Sequence, residues 1–168
     1  MINATQLGKI YAYILESIFN KMQILFYKQQ TDYTCGPASM RMILSALKIK
    51  KSEKELAQLL KTRRKTGTKN KSFSLLAKRL NLPSIAKKNS SFQELKAYQN
   101  KNYLIILNYF HPEEKIGHYA VLKKIDKKYI YLLDPAFGKN HKYSLAEFKK
   151  IWKGKHEKTR RWFFALKR

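Results

Sequence analysis

Apolar residues recur at helical spacing early in the chain and gather into continuous or alternating runs later. Ile10, Ile14, Leu15, Ile18 and Phe19 mark one face of a helix over about residues 1–23, with Lys9, Glu16, Asn20 and Lys21 interleaved. Such a stripe is more often a docking face on the same domain than a membrane anchor. Residues 24–27 read as a short strand. Pro37 then stands in the first turn of a helix ending near residue 47, where its missing N–H costs nothing. Ser52 and Glu55 form a capping box for a second helix through residue 60. A basic loop over 61–71, containing Gly67, leads to a third helix over 73–80 that Pro83 stops. Ser91 and Glu94 open a short fourth helix to residue 98.

The later pattern is that of a sheet. Residues 103–110 are a continuous β-prone run, which predicts a central strand. Residues 118–125 and 129–133 predict a hairpin about Asp126-Lys127-Lys128, with 118 opposite 134. Ser144 caps a last helix, and 162–166 closes the sheet. Helices first and antiparallel strands later define an α+β domain over 24–168, preceded by a helical extension over 1–23.

Composition narrows the function. The chain has 168 residues, 44% hydrophobic, which suits one domain with a real core. Its single cysteine excludes an internal disulfide, and the scattered histidines lack zinc-site spacing, so no metal or cofactor is expected. The net charge of +25 fits an acidic partner, whether nucleic acid, anionic membrane or acidic peptide. It equally fits a lysine-rich solvated surface. The densest basic runs, 61–65 and 149–161, lack the aromatic interleaving of an RNA-binding sheet, so a specific nucleic-acid partner is not expected. No apolar stretch is long enough to span a bilayer. Neither a span nor an export signal is evident, so the expected location is cytoplasmic, with weak interfacial contact through 1–23 left open.

The most ordered local sequence surrounds the cysteine: Gln29-Gln30-Thr31-Asp32-Tyr33-Thr34-Cys35-Gly36-Pro37-Ala38. An isolated Cys is commonly a small buried packing residue. Here it meets a helix N-terminus, whose dipole favours a thiolate, and Gly36 leaves room beside it. His118 opens a strand and is the candidate base. His111, His141 and His156 lie among charged residues and are expected to face solvent. Asp134 is either the opener of an Asp-Pro turn or the acid that orients His118. Gln29 or Gln30 is the side-chain candidate for an oxyanion donor beside the Cys35 N–H.

Gln29-x5-Cys35-Gly36-Pro37-Ala38, Gly117-His118-Tyr119 and Leu133-Asp134-Pro135 together resemble the C39 peptidases, papain-like cysteine peptidases known from bacteriocin-exporting transporters. The resemblance covers about 24–166. It implies a papain-like fold, Cys35 as nucleophile, His118 as general base, Asp134 as orienting acid and Gln29 as oxyanion donor. It implies hydrolysis of a peptide through a thioester, at a leader or Gly-Gly-type site, without a cofactor. Thr34 and Ser39 depart from the transporter pattern, which has an acid before the Cys and a second Cys after it. The competing expectation is a non-catalytic basic module that binds nucleic acid or anionic surfaces on the same scaffold.

Overall fold

A computed structural model describes residues 3, 5–11, 24–154 and 160–168. Residues 5–11 are helical, as the apolar spacing predicts, but Leu7, Ile10 and Tyr11 are exposed rather than docked on the domain. The rest of that predicted helix, and His156, fall outside the described residues. Among the described residues, no helix is long and apolar enough to cross a membrane.

Three of the helices beyond residue 24 begin where a serine side chain replaces a missing backbone partner, and two begin without one. Helix α1 (Cys35–Ala46) starts on Cys35 itself, and Thr34 gives it no side-chain cap. Ser52 and Glu55 complete the expected capping box of α2 (Glu53–Leu59). Helix α3 (Asn70–Arg79) begins ahead of the expected Phe73. At α4 (Phe92–Asn100), Ser91 accepts the Glu94 N–H but the box is half formed, because the Glu94 carboxylate pairs with Lys87. Ser144 and Glu147 form a full box on α5 (Leu145–Ile151).

The strands are β1 (Ser84–Lys87), β2 (Tyr103–His111), β3 (Ile116–Ile125), β4 (Tyr129–Asp134), β5 (Gly138–Ser144) and β6 (Phe163–Lys167). They form one six-stranded antiparallel sheet in the order β1-β6-β2-β3-β4-β5. Strand β6 therefore inserts beside β2 rather than closing an edge. The predicted strand at 24–27 does not form. Ile24, Phe26 and Tyr27 pack on the core, but their backbone joins no ladder. Strands β1 and β5 carry weak hydrophobic patterns because both are edge strands with largely exposed positions.

The sheet is covered on both faces, which explains the unbroken apolar run of β2. Leu104, Ile106, Tyr119, Val121 and Phe164 face α1, α2 and α3 through Met40, Leu56 and Phe73. Ile105, Leu107, Ala120, Leu122 and Phe163 face α4 and α5 through Leu95, Phe148 and Trp152. The indole N–H of Trp152 donates to the Trp162 carbonyl at 2.9 Å, which ties one layer to the other.

Candidate active site

Cys35 is 8% exposed, at the first position of α1. The first-turn amides of that helix keep no side-chain cap, so their partial positive charge faces the thiol. Gly36 is required behind it. A Cβ there would lie 2.4 Å from Thr68 Oγ1 and 2.8 Å from Thr68 Cβ. The segment before α3 is thereby pressed against the start of α1.

His118 is 2% exposed and Asp134 fully buried. His118 Nε2 lies 2.8 Å from Asp134 Oδ1. The expected register is corrected, however. Val121 pairs with Leu133 and Leu122 with Leu132, so Asp134 is level with Ala120, not His118. A register shift between Leu122 and Lys124 moves the pairing off the symmetric hairpin. The two residues are diagonal neighbours on one face, within reach of an imidazole.

Asp134 accepts more than this bond. The Ala136 and Phe137 amides donate to Oδ1 at 2.9 and 3.0 Å, and the Tyr109 hydroxyl to Oδ2 at 2.6 Å. Burial alone raises the Asp134 carboxyl, but donation and charge from His118, then Tyr109 and the Phe137 amide, hold it below its ordinary range. Burial pulls His118 down. The charge of Cys35, the Asp134 hydrogen bond and a hydrogen bond to Cys35 outweigh that and push it up to about 10. His118 is therefore bonded to Asp134 through Nε2 and has Cys35 as a second interaction partner. Gly138, at φ +112°, permits the tight turn from Asp134 into β5.

Tyr109 was not evident from the sequence. It sits directly across from His118 in the β2–β3 ladder. The signal that could have found it is the charged Glu113-Glu114 tip, about which that hairpin folds. Burial and the Asp134 charge hold its phenol well above its ordinary range, so it stays a donor.

The solvent-facing expectation for His111 and His141 is overturned. His111 is 3% exposed and stacks on Phe137 at 4.0 Å and 11°. Its Nδ1 accepts the Glu114 N–H at 3.2 Å, and burial together with the charge of His118 keeps its pKa low. His141 lies 5.3 Å from Phe137 and 6.3 Å from His111, with its Nε2 buried and unpartnered. Phe137 in turn meets the His118 ring edge-on at 5.6 Å.

Gln29 is held beside Asp134 by its main chain, whose N–H donates to the Pro135 carbonyl at 3.0 Å. Its side-chain amide donates to the Thr31 carbonyl at 2.8 Å, and its Oε1 is buried without a partner. Gln30 is exposed, and its N–H donates to the buried Glu53 carboxylate at 2.7 Å. Ser39 is buried and donates to the Tyr119 carbonyl at 3.2 Å.

A cleft of about 620 Å³ opens on Cys35, lined among others by Thr68, Asn108, Gly117 and Tyr119. Asn108 donates to the His118 carbonyl at 3.2 Å and fixes the strand that carries the imidazole.

The sequence profile of the peptidase C39 family matches residues 23–156. No curated protein sequence matches the chain significantly. The fold is similar to the peptidase domain of Streptococcus ComA, a bifunctional ABC transporter of a quorum-sensing pathway. There the TM-score is 0.70 at 20% identity, over 87% of this chain and 100% of that one. A protein described as a C39-like peptidase from Bacillus anthracis gives a TM-score of 0.70 at 16% identity, over 87% and 95%. A double-glycine-motif protease from an AMS/PCAT transporter, solved with a leader peptide, gives 0.62 at 20% identity, over 86% and 90%.

Proposed function

From a chain that belongs to the peptidase C39 family, we propose a cysteine peptidase in which Cys35, His118, Asp134 and Gln29 carry the reaction. The observation that supports this most directly is the buried 2.8 Å contact of His118 Nε2 with Asp134, a carboxylate itself fixed by Tyr109 and backbone amides, with Cys35 as the second interaction partner of the imidazole. A packing cysteine needs no such partner.

In the proposed reaction the Cys35 thiolate attacks the scissile carbonyl. Protonated His118 then gives its proton to the departing amine as the C–N bond breaks, leaving a thioester. Neutral His118 next takes a proton from water, the hydroxide adds to the thioester, and the C–S bond breaks to release the acid and the Cys35 thiolate, with His118 protonated as at the start. Asp134 fixes the ring and favours its protonated form. The Cys35 N–H and the second N–H of the Gln29 amide are the donors assigned to the oxyanion. The Thr31 contact would hold that amide in place.

The substrate is proposed to be a peptide, because the double-glycine protease of similar fold was solved with a leader peptide. Cleavage at a Gly-Gly-type leader site is the narrower form of this reading.

Iodoacetamide at pH 6 tests the chemistry. Cys35 should be alkylated about tenfold or more faster than free cysteine, and His118→Ala should abolish the difference. A rate equal to that of the free thiol, indifferent to His118, removes the peptidase reading.

A further inference from the structure

Arg64, Lys65, Lys69 and Lys71 line the cleft that opens on Cys35, and Asp32 is its single acidic lining residue. All four cations are exposed. Among the described residues, the ion pairs are Lys51–Glu55, Lys87–Glu94 and His118–Asp134, none of which engages this wall.

The wall is prepared in advance. Arg63 and Gly67 exchange backbone hydrogen bonds at 3.1 and 2.7 Å. Thr62 and Thr68 hydroxyls meet at 2.7 Å. The buried Tyr119 hydroxyl sits 2.6 Å from Asn70 Oδ1 and 2.9 Å from the Thr68 carbonyl. Its cations also break a local rule. Lys69 is the N-cap of α3 and Lys71 lies in its first turn, which holds no acidic residue. Cations at the positive end of a helix are unfavourable, and an arriving anion offsets that cost.

We infer that the cleft selects a peptide carrying an acidic side chain within a few residues of the scissile bond, held against this cationic wall. The inference rests on the peptidase reading, since that reading makes the cleft a substrate channel. An extended peptide advances about 3.3–3.6 Å per residue, so cations beside the thiol meet side chains near the reacting carbonyl. A nucleic acid fits less well. Successive bases need a series of exposed aromatic faces, whereas of the two lining aromatics Tyr119 is buried against Phe73 and Trp162 and only the half-buried Tyr33 is left.

The test uses the full chain and synthetic dodecapeptides with a central Gly-Gly. Each carries one Glu, Gln or Lys at a position scanned along either side. The readout is protection of Cys35 from iodoacetamide at low salt. At one or more positions Glu should protect about tenfold better than Lys, a factor that shrinks in high salt. Arg64→Glu/Lys65→Glu should erase that preference, whereas the equal charge change Lys127→Glu/Lys128→Glu on the β3–β4 turn should keep it. No position favouring Glu, or a preference that survives Arg64→Glu/Lys65→Glu, overturns the inference. So does a single-stranded oligonucleotide that protects at lower concentration than every peptide. Alkylation without peptide reads the peptidase proposal separately. A Cys35 no faster than free cysteine sinks that proposal, whatever the peptides do.

Discussion

Tyr109 and Asp134 are joined by a 2.6 Å hydrogen bond at the carboxylate oxygen that His118 does not use. This bond orients the carboxylate toward the imidazole and satisfies an oxygen buried in a helix-covered sheet. Tyr109→Phe removes one hydroxyl from that arrangement and little else. It should cost about 1.5–3 kcal/mol, the range for a hydrogen bond to a charged group. Chemical denaturation checks the stability. The alkylation rate of Cys35 at pH 6 should fall, because His118 loses part of its orientation.

The shifts at His118 and Asp134 set opposite pH limits. His118 is raised to about 10 from an ordinary 6.5. Its stabilising contribution is full below about pH 6.5 and disappears as pH rises through about 10. Asp134 is lowered, so its contribution is full above the ordinary carboxylate range and is lost as pH falls below it. Melting temperature measured from pH 3 to 11 should show a plateau with two falling flanks. In His118→Gln the alkaline flank should flatten. Peptide hydrolysis should decline on the same alkaline flank as His118 loses the proton given to the leaving amine.

Gly36→Ala should damage both stability and activity, because its Cβ meets Thr68 at under 3 Å. A cost of about 1–3 kcal/mol is expected for such overpacking. Thr68→Gly removes the obstructing side chain, so the double variant should regain part of the lost stability over Gly36→Ala in a denaturant titration. Equal destabilisation of the single and double variants would show that the close approach is not what requires glycine.

Glu53 offers a test of the segment that carries Gln29. Its buried carboxylate accepts the Gln30 N–H. Glu53→Gln keeps an acceptor oxygen, whereas Glu53→Ala leaves that N–H unanswered. The alanine variant should lose about tenfold in kcat with KM little changed, as expected for a displaced oxyanion donor. The glutamine variant should retain most of the rate. Parallel losses in both variants would mark Glu53 as a packing residue.

Capping chemistry and periodicity made the helices and interior strands readable before any coordinates. Ser52 and Ser144 start their helices as their boxes require. Other features depend on pairing that no local pattern encodes. The register shift near Lys123 defeats symmetric hairpin counting, so Asp134 reaches His118 along a diagonal. His111 and His141 flank charged residues in sequence, yet the sheet carries both onto Phe137, beside His118. Edge strand β5 is mostly polar and gives no periodic signal. Gln29 was recognisable by its spacing to Cys35, whereas the Pro135 carbonyl that anchors its main chain is remote in sequence.

The bond from Trp152 to the Trp162 carbonyl crosses between the two helical layers. Strand β6 beside it sends Phe163 to one layer and Phe164 to the other. The two layers are therefore expected to melt together. The chain's two tryptophans also stand one in each layer, as separate optical reporters. Their emission should change in a single shared transition, so thiol, imidazole and carboxylate assemble or disperse as one cooperative unit.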